Sequence, residues 1–356
     1  MKLFALAPIE SRFEPRYYGL DSKTVPTPNR YQVFYQWRQS LRKDPVDLLL
    51  KSGSLPVRFF LLRDILRDRT SPDFKAIKHN LRKYQPRRRL LAQQLADGTW
   101  SPQADIPNLA PEKVATLAFL DQLEKVHTLL DLGTTLQQEK MKKAMIRLLK
   151  FGNEDGVFPG RIYHQAQLVY LAIQLGLDQN PIVQRAEQPL FRSQHKNGSW
   201  PLDLDDMGSD SESCYWTTMQ ITWSLAHSSK LRKRKGLERA LGYLREHYLE
   251  EGLSPILPTK EAWDHFHVGP SSPALLHGGT LRLLEILRLM DAPLDRPIRK
   301  MLNWLQDQQL PNGHWPAIVG RDRRGDESVT LRVLYVFQHF APKQAAAAYE
   351  EYDQYE

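Results

Sequence analysis

The sequence predicts an all-α fold of about six helical hairpins that close into one ring. The first observation is a pattern of Gln, three residues, Gly, one residue and Trp at 94–100, 194–200 and 309–315. The second is helical spacing of apolar residues through most of the chain, with almost no alternation typical of strands. The third is the recurrence of turn glycines 42 to 61 residues apart, which is one hairpin each. An open array is the alternative, and we favour closure because no terminal repeat is strongly polar.

The repeated pattern has a physical interpretation as a turn between hairpins. Its glycine can adopt a positive φ and so end a helix, as at Gly198. The tryptophan that follows offers a broad apolar face and one N–H donor. The glutamine amide both donates and accepts, so it can bridge backbone groups left unpaired at helix ends. Each copy is therefore expected to attach one hairpin to the next.

Composition and charge are those of an ordinary globular protein. The 356 residues are 41% hydrophobic and 25% charged, and 49 Lys and Arg against 41 Asp and Glu give a net charge of +8. We expect a cytoplasmic protein, because the start resembles no signal peptide, no apolar run is long enough to span a membrane, and Cys214 is the single cysteine. The basic clusters at 87–89 and 230–235 lack interleaved aromatics, so nucleic-acid binding is not expected.

The first part of the chain reads as an irregular arm followed by short helices. Residues 1–27 hold several prolines and aromatics without a periodic pattern. Helical spacing then predicts five segments before the first Gln-to-Trp turn. They are 29–43, 45–51, 56–67, 74–84 and 87–95.

The rest of the chain reads as paired helices. The expected pairs are 111–132 with 136–151, 161–175 with 181–194, 211–228 with 236–249, and 273–290 with 296–309, followed by 327–340. Gly156 and Phe158 resemble a degenerate copy of the repeated turn. We therefore divide the chain into the arm 1–27, one helical domain at 28–345 and an acidic tail at 346–356.

The three Gln-to-Trp turns resemble the QW motifs of squalene–hopene cyclases, oxidosqualene cyclases and prenyltransferase β-subunits. The similarity extends to openings such as 178–183 and 295–298, and the chain also resembles an uncharacterised group of bacterial single-toroid proteins. The resemblance implies an α/α toroid, or (α/α)6 barrel, whose inner helices begin after the turns and surround an apolar cavity. It implies an isoprenoid or other lipid-like ligand, with residues at the N-terminal ends of the inner helices at the mouth. Candidate ligand contacts are His164, Gln165, Tyr215, Trp216, Trp263 and His277.

Three aspartates match the acid string of class II terpene cyclases. Asp203, Asp205 and Asp206 form an Asp-x-Asp-Asp sequence, in which neighbouring carboxylates keep one of them protonated so that it can protonate an alkene or epoxide. In those cyclases a threonine follows directly, whereas here it comes at Thr217 or Thr218. The alternative interpretation is an exposed acidic loop after a turn.

Two further groups suggest a metal. The acidic stretch 203–212 offers carboxylates for Mg²⁺, and Glu212 with Cys214 resembles the Asp-x-Cys zinc pair of protein prenyltransferases. His265 and His267 are workable ligands in an extended loop. Mg²⁺ and Zn²⁺ are therefore the candidate cofactors, and a buried hydrophobic role for Cys214 and packing roles for the histidines are the alternatives.

Three functions remain open at this point. The first is a toroid that binds an isoprenoid or lipid, with acid-initiated cyclisation by Asp205 and Asp206. The second is a binding or scaffold protein that keeps the ring without chemistry. The third is a metal-dependent or glycan-processing (α/α)6 enzyme that uses Glu212, His265 and His267. The sequence leaves open whether the chain is an enzyme.

Overall fold

Most of the described part of the chain is helical. A computed structural model describes residues 36–100, 109–203, 212–252, 254, 259–271 and 274–353. Within these ranges, extended backbone pairs only at three isolated bridges. The predicted all-α fold is therefore confirmed for them. The arm 1–27 lies outside the described residues, and the division into arm, domain and tail stays a prediction.

The α-helices follow one another in pairs, as the sequence indicates. They are α1 Val46–Ser52, α2 Leu55–Phe60, α3 Pro72–Lys83, α4 Gln85–Ala92, α5 Pro111–Asp131, α6 Glu139–Leu149, α7 Ile162–Gln174, α8 Pro181–Arg192, α9 Tyr215–Ala226, α10 Lys235–Glu246, α11 Gly279–Leu289, α12 Arg296–Asp307 and α13 Glu327–Asp353. A π-helical turn, Leu61–Ile65, extends α2. The last helix, expected to end at 340, continues to Asp353.

The helices form two concentric layers. Neighbours in the inner layer are in contact: α5 with α7, α7 with α9, α9 with α11, α11 with α13, and α13 with α2. Between α2 and α5, the ring continues through α3 and α4, which pack on α2 and α5 respectively and on each other. The outer helices α6, α8, α10 and α12 each pack on the inner helix that precedes them. This arrangement is an α/α toroid.

Burial separates the two layers and follows from the sequence. In α9, 11 of 12 residues are buried, and in α7, 10 of 13 are, because both helices are apolar or neutral on every side. The outer helix α12 instead buries one face, with Ile298, Met301, Leu302 and Leu305 at helical spacing. Helices that are apolar all round belong inside, and those with one apolar stripe cover them.

The Gln-to-Trp turns join successive hairpins by hydrogen bonds. In each copy the glutamine amide donates to the glycine carbonyl four residues later and to a carbonyl near the start of another helix. The second acceptors are Lys140, Gly236 and Lys43. Each tryptophan donates its indole N–H to the carbonyl ten residues earlier. The glycines have φ of +93°, +95° and +93°, so the turn needs the left-handed region.

The third turn closes the ring. The amide of Gln309 donates to the carbonyl of Lys43, which precedes α1 at the other end of the domain. Two bonds from α13 reach the π-helical turn after α2: the Tyr335 hydroxyl donates to Asp64, and the Gln338 amide donates to the Ile65 carbonyl. The last hairpin is thus bonded to the first.

Among the described residues, no helix combines the length and the apolarity needed to cross a bilayer. The expected cytoplasmic location stays a prediction.

Candidate functional site

A cavity of about 2610 Å³ lies at the centre of the ring. Its wall comes from the C-terminal turns of α5, α7 and α9, from the loops that follow them, and from faces of α11, α13 and the π-helical turn. Residues of α2, α3, α4, α6 and α8 complete the wall. Because those loops line it, the cavity opens where the inner helices end. It is larger than a typical small-molecule pocket of roughly 300–1,000 Å³. The space is sufficient for a long ligand.

The opposite end of the ring is covered by the segment 259–271. Phe266 of this segment is fully buried, and its carbonyl accepts a hydrogen bond from Nη1 of Arg332 at 2.6 Å. Nε2 of Gln167 donates to the carbonyl of Pro270 at 3.0 Å. Both donors lie within the first two turns of their helices. The segment 259–271 therefore covers N-terminal ends of the inner helices, where the resemblance places the mouth of the cavity.

Four aromatic rings form a continuous wall on one side of the cavity. The ring centroid of Tyr170 lies 4.5 Å from Trp223, 4.9 Å from His227 and 5.5 Å from His127. All four residues line the cavity, and they come from α5, α7 and the end of α9. Ring faces of this kind provide a large apolar contact area at fixed positions.

The two histidines of this wall are neutral at neutral pH. Burial lowers the pKa of His227 to about 3, and its Nδ1 lies 2.8 Å from the Trp223 carbonyl, to which it donates. Burial also lowers the pKa of His127, whose Nδ1 lies 2.7 Å from Nε2 of Gln167. Both imidazoles thus act as neutral ring surfaces with a fixed hydrogen bond.

A buried ion pair faces the aromatic wall from α11 and α13. Arg332 donates from Nε and Nη2 to the two carboxylate oxygens of Glu285, at 2.6 and 2.7 Å. Burial alone raises the pKa of Glu285, but Arg332, followed by Arg282 and Arg288, outweighs it and holds the pKa below its ordinary value. Glu285 is therefore a carboxylate, and its two oxygens are held by one guanidinium.

Arg282 occupies the space between this ion pair and the aromatic wall. Its guanidinium carbon lies 3.8 Å from the ring centroid of Trp223, and the residue is 2% exposed. Burial lowers the pKa of Arg282 to about 9, which still leaves it charged at neutral pH. Its Nε and Nη1 have no hydrogen-bond partner among the described residues.

A second ion pair lies at the π-helical turn. Arg63 donates to both oxygens of Asp64 at 2.6 and 2.7 Å, and its guanidinium carbon lies 4.7 Å from the Phe60 ring centroid. Tyr335 donates its hydroxyl to the same carboxylate at 2.8 Å. This group joins α2 to α13 and forms part of the cavity wall.

Gln165 and His164, predicted as ligand contacts, make structural hydrogen bonds. The Gln165 amide donates to the carbonyls of Gly156 and Ala186 and accepts from the N–H of Phe158. His164 accepts from the backbone N–H of Arg161 and thereby caps α7. Their role in ligand binding stays a prediction.

The predicted aromatic contacts Tyr215, Trp216 and Trp263 lie together in one cluster. The ring centroids of Tyr215 and Trp216 are 5.0 and 4.9 Å from that of Trp263, and all three residues are buried. The Tyr215 hydroxyl donates to the Leu244 carbonyl on α10. Among the described residues, the wall of the central cavity does not include these three.

The acid string is described only at its first residue. Asp203 is partly exposed and forms an ion pair with Arg161, with 3.3 Å between Oδ1 and Nε. Asp205 and Asp206 lie outside the described residues. Thr218 accepts from the N–H of Trp200 and donates to the Cys214 carbonyl, so it is the threonine that follows this turn.

The predicted metal ligands are spread over several positions. Glu212 is exposed, whereas Cys214 is buried with Sγ 3.1 Å from the Ser254 hydroxyl. Nδ1 of His267 lies 3.8 Å from the Asp326 carboxylate.

His277 lies beside one of these candidates. Its ring centroid is 5.0 Å from that of His265, and burial lowers the pKa of His277. Over the residues that the structure covers, no group of three His, Cys, Asp or Glu side chains could hold a metal ion. Mg²⁺ and Zn²⁺ stay untested predictions.

The charged residues of the cavity were not among the predicted site residues. Arg282, Glu285 and Arg288 stand in an otherwise apolar helix, and Arg332 is on the next inner helix. A signal was present, because three charged residues in a helix expected to lie inside the ring need partners or a polar cavity.

Comparisons with known proteins give no family. No protein-family model and no curated protein matches the chain. Among solved structures, the chain is similar to the type II terpene cyclase MstE from Scytonema in complex with merosterolic acid A, at 16% identity, 71% coverage of this chain, 94% of that one and a TM-score of 0.33. It is also similar to a polysaccharide lyase, at 10% identity, 88% and 97% coverage and a TM-score of 0.47. At such low identities and TM-scores, these similarities carry no argument about activity.

Proposed function

We propose that the protein binds a lipid-like molecule, of isoprenoid or similar apolar character, in the central cavity. The observation that carries this proposal is the aromatic wall of Tyr170, Trp223, His127 and His227, which faces the cavity. Aromatic faces attract apolar chains by dispersion and by exclusion of water. A wall of four adjacent rings offers such contact along an extended ligand.

Acid-initiated cyclisation is the further part of the proposal. It requires a carboxylic acid in contact with the bound chain, and Asp205 and Asp206 are the candidates that the sequence suggests. Glu285, the buried carboxylate of the cavity, is held ionised by Arg332 and so does not supply that acid. A binding or scaffold protein without chemistry remains the alternative, and no described observation favours the metal-dependent alternative.

The test is native mass spectrometry of the freshly purified protein, followed by denaturing extraction. We expect a retained lipid of defined mass in the wild type and a several-fold lower retained fraction in Trp223→Ala, because that substitution removes one ring of the wall. Phe191→Ala is the matched control. Phe191 is also a ring beneath an arginine, with Arg234 4.3 Å from its centroid, but it lies on the outer helix α8.

Thermal unfolding of both variants excludes loss of fold as the cause. A bare protein mass, or equal retention in Trp223→Ala and the wild type, contradicts the proposal and favours the scaffold alternative. If a lipid is recovered, it is used as the substrate, and its turnover by Asp205→Asn is compared with its turnover by the wild type.

A further inference from the structure

We infer that Arg282 and Arg288 form a seat for an anionic group, phosphate or carboxylate, on the ligand of the central cavity. The inference rests on the proposed function, since it assigns a polar end to the same lipid-like molecule. It concerns the part of the cavity between the aromatic wall and the Arg332–Glu285 pair.

The first step is the unsatisfied state of Arg282. This guanidinium is 2% exposed, yet its Nε and Nη1 have no hydrogen-bond partner among the described residues. A buried charge that lacks hydrogen bonds is unfavourable unless another group supplies them. Stacking on Trp223 at 3.8 Å provides a cation–π contact but no acceptor. An acceptor from a ligand meets this requirement.

The second step is that the neighbouring carboxylate, Glu285, already accepts hydrogen bonds from another arginine. Both oxygens of Glu285 accept hydrogen bonds from Arg332. The closest approach of Arg282 to Glu285 is 3.8 Å, from Nη1 to Oε2, which is too long for a hydrogen bond. Glu285 and Asp131 therefore attract the charge of Arg282, but neither accepts a hydrogen bond from its Nε or Nη1.

The third step is a second arginine in the same wall. Arg288 lies farther along α11, lines the cavity, and has an Nε without a hydrogen-bond partner in the described structure. Burial lowers the pKa of Arg288, and its guanidinium carbon lies 5.6 Å from the ring centroid of Tyr335. Two arginines that line the cavity from one helix, each with an Nε that has no hydrogen-bond partner among the described residues, suit an oxygen-rich anion, because the planar guanidinium matches carboxylate and phosphate geometry.

The net charge of the cavity wall also favours an anionic ligand. Of the charged side chains that line the cavity, eleven are Arg or Lys and four are Asp or Glu. A concave surface with this excess concentrates anions near its mouth. The seat is thus reached through a positively charged opening, and the apolar part of the ligand lies against the aromatic wall.

Binding of three matched probes tests the seat: farnesyl phosphate, farnesoate and farnesol, titrated by calorimetry at fixed ionic strength. We expect at least one of the two anions to bind at least tenfold more tightly than farnesol. The anion that binds with the lower Kd shows whether phosphate or carboxylate is preferred. We expect the preference for the anion over the alcohol to disappear in Arg282→Gln. The control is Arg234→Gln, because Arg234 stacks on Phe191 outside the cavity, and we expect the preference to persist there.

Every result of this series bears on the inference. Equal affinity of wild type for all three probes overturns the seat and leaves the proposed function intact. Binding of none of them contradicts the proposed function, and pyrophosphate alone then decides the seat by whether its binding depends on Arg282. If Arg282→Gln does not fold, Arg282→Lys replaces it, and we expect a weaker anion preference because lysine lacks the planar fork. An unchanged preference in the folded variant overturns the inference.

Discussion

At the scale of single residues, burial keeps several histidines neutral by lowering their pKa. His164 is the clearest case, because burial, and secondarily Arg161, lowers its pKa to about 3. Its Nδ1 accepts from the Arg161 N–H, and its Nε2 has no partner among the described residues. A protonated His164 would therefore lose the cap of α7 and place a charge in the core.

A pH dependence of stability follows from His164. Its folded pKa lies below the value of about 6.5 expected in the unfolded chain. The unfolded chain therefore takes up a proton as pH falls below about 6.5, whereas the folded chain does so only near its own pKa of about 3. The contribution of His164 to the free energy of unfolding is therefore fully present above about pH 6.5 and is lost as the pH falls towards about 3. At pH 5 the loss is about 2 kcal/mol.

The substitution that isolates this effect is His164→Gln. Glutamine at this helix position can accept from the same backbone N–H, so the cap is kept while the titration is removed. Urea unfolding at pH 7 and pH 5 should show a smaller loss in His164→Gln than in the wild type. His79→Gln, at an exposed position on α3, should behave as the wild type. An identical loss in His164→Gln and the wild type would show that the histidine does not carry the effect.

The residue scale is also where prediction from sequence reached least far. Gln165 was noticed because a polar residue interrupts an apolar helix, but the pattern does not distinguish a substrate contact from a bridge between two carbonyls. Charged residues in a helix expected to lie inside the ring, such as Arg282, indicate that a polar partner or cavity is needed, but not which one. Contacts between distant segments, which form the closed ring, decide that Arg282 and Arg332 face the cavity.

At the scale of elements, the repeated turn depends on close approach between backbones. A Cβ atom at Gly198 would lie 2.4 Å from the carbonyl carbon of Arg239 on α10, and the residue has φ of +95°. Gly252 has a similar φ of +74°, but a Cβ there would meet no atom of the described residues within 4 Å. The two glycines share backbone conformation and differ in their surroundings.

This difference gives a matched pair of substitutions. Gly252→Ala should cost about 1 to 2 kcal/mol, the strain of a positive φ for an L-residue. Gly198→Ala should cost more, by a further 1 to 3 kcal/mol, because the turn must also move away from α10. Chemical denaturation measures both, and equal costs would mean that the turn does not depend on this approach.

Elements were the level at which the sequence was most informative. Glycine spacing and apolar periodicity predicted the helix pairs, since both are local properties of the chain. The helix boundaries were predicted less well, as at α13, which continues to Asp353 rather than ending at 340.

At the scale of the whole molecule, the ring determines where a ligand can enter. The resemblance led us to expect the mouth at the N-terminal ends of the inner helices, where the segment 259–271 instead makes bonds to Gln167 and Arg332. The cavity opens at the other end, among the loops after α5, α7 and α9. The path of an irregular segment has no periodic signature, so the sequence did not indicate which end it covers.

The central claim, that a lipid-like ligand occupies this cavity, is tested most directly by photolabelling. A farnesyl phosphate analogue with a diazirine on its chain is bound, irradiated and located by peptide mass spectrometry. We predict labels on peptides that contain Tyr170 and Trp223, suppressed by excess unlabelled farnesyl phosphate. Labels confined to the outer helices α10 and α12, which contribute no residue to the cavity wall, or labels that excess ligand does not suppress, would contradict the account.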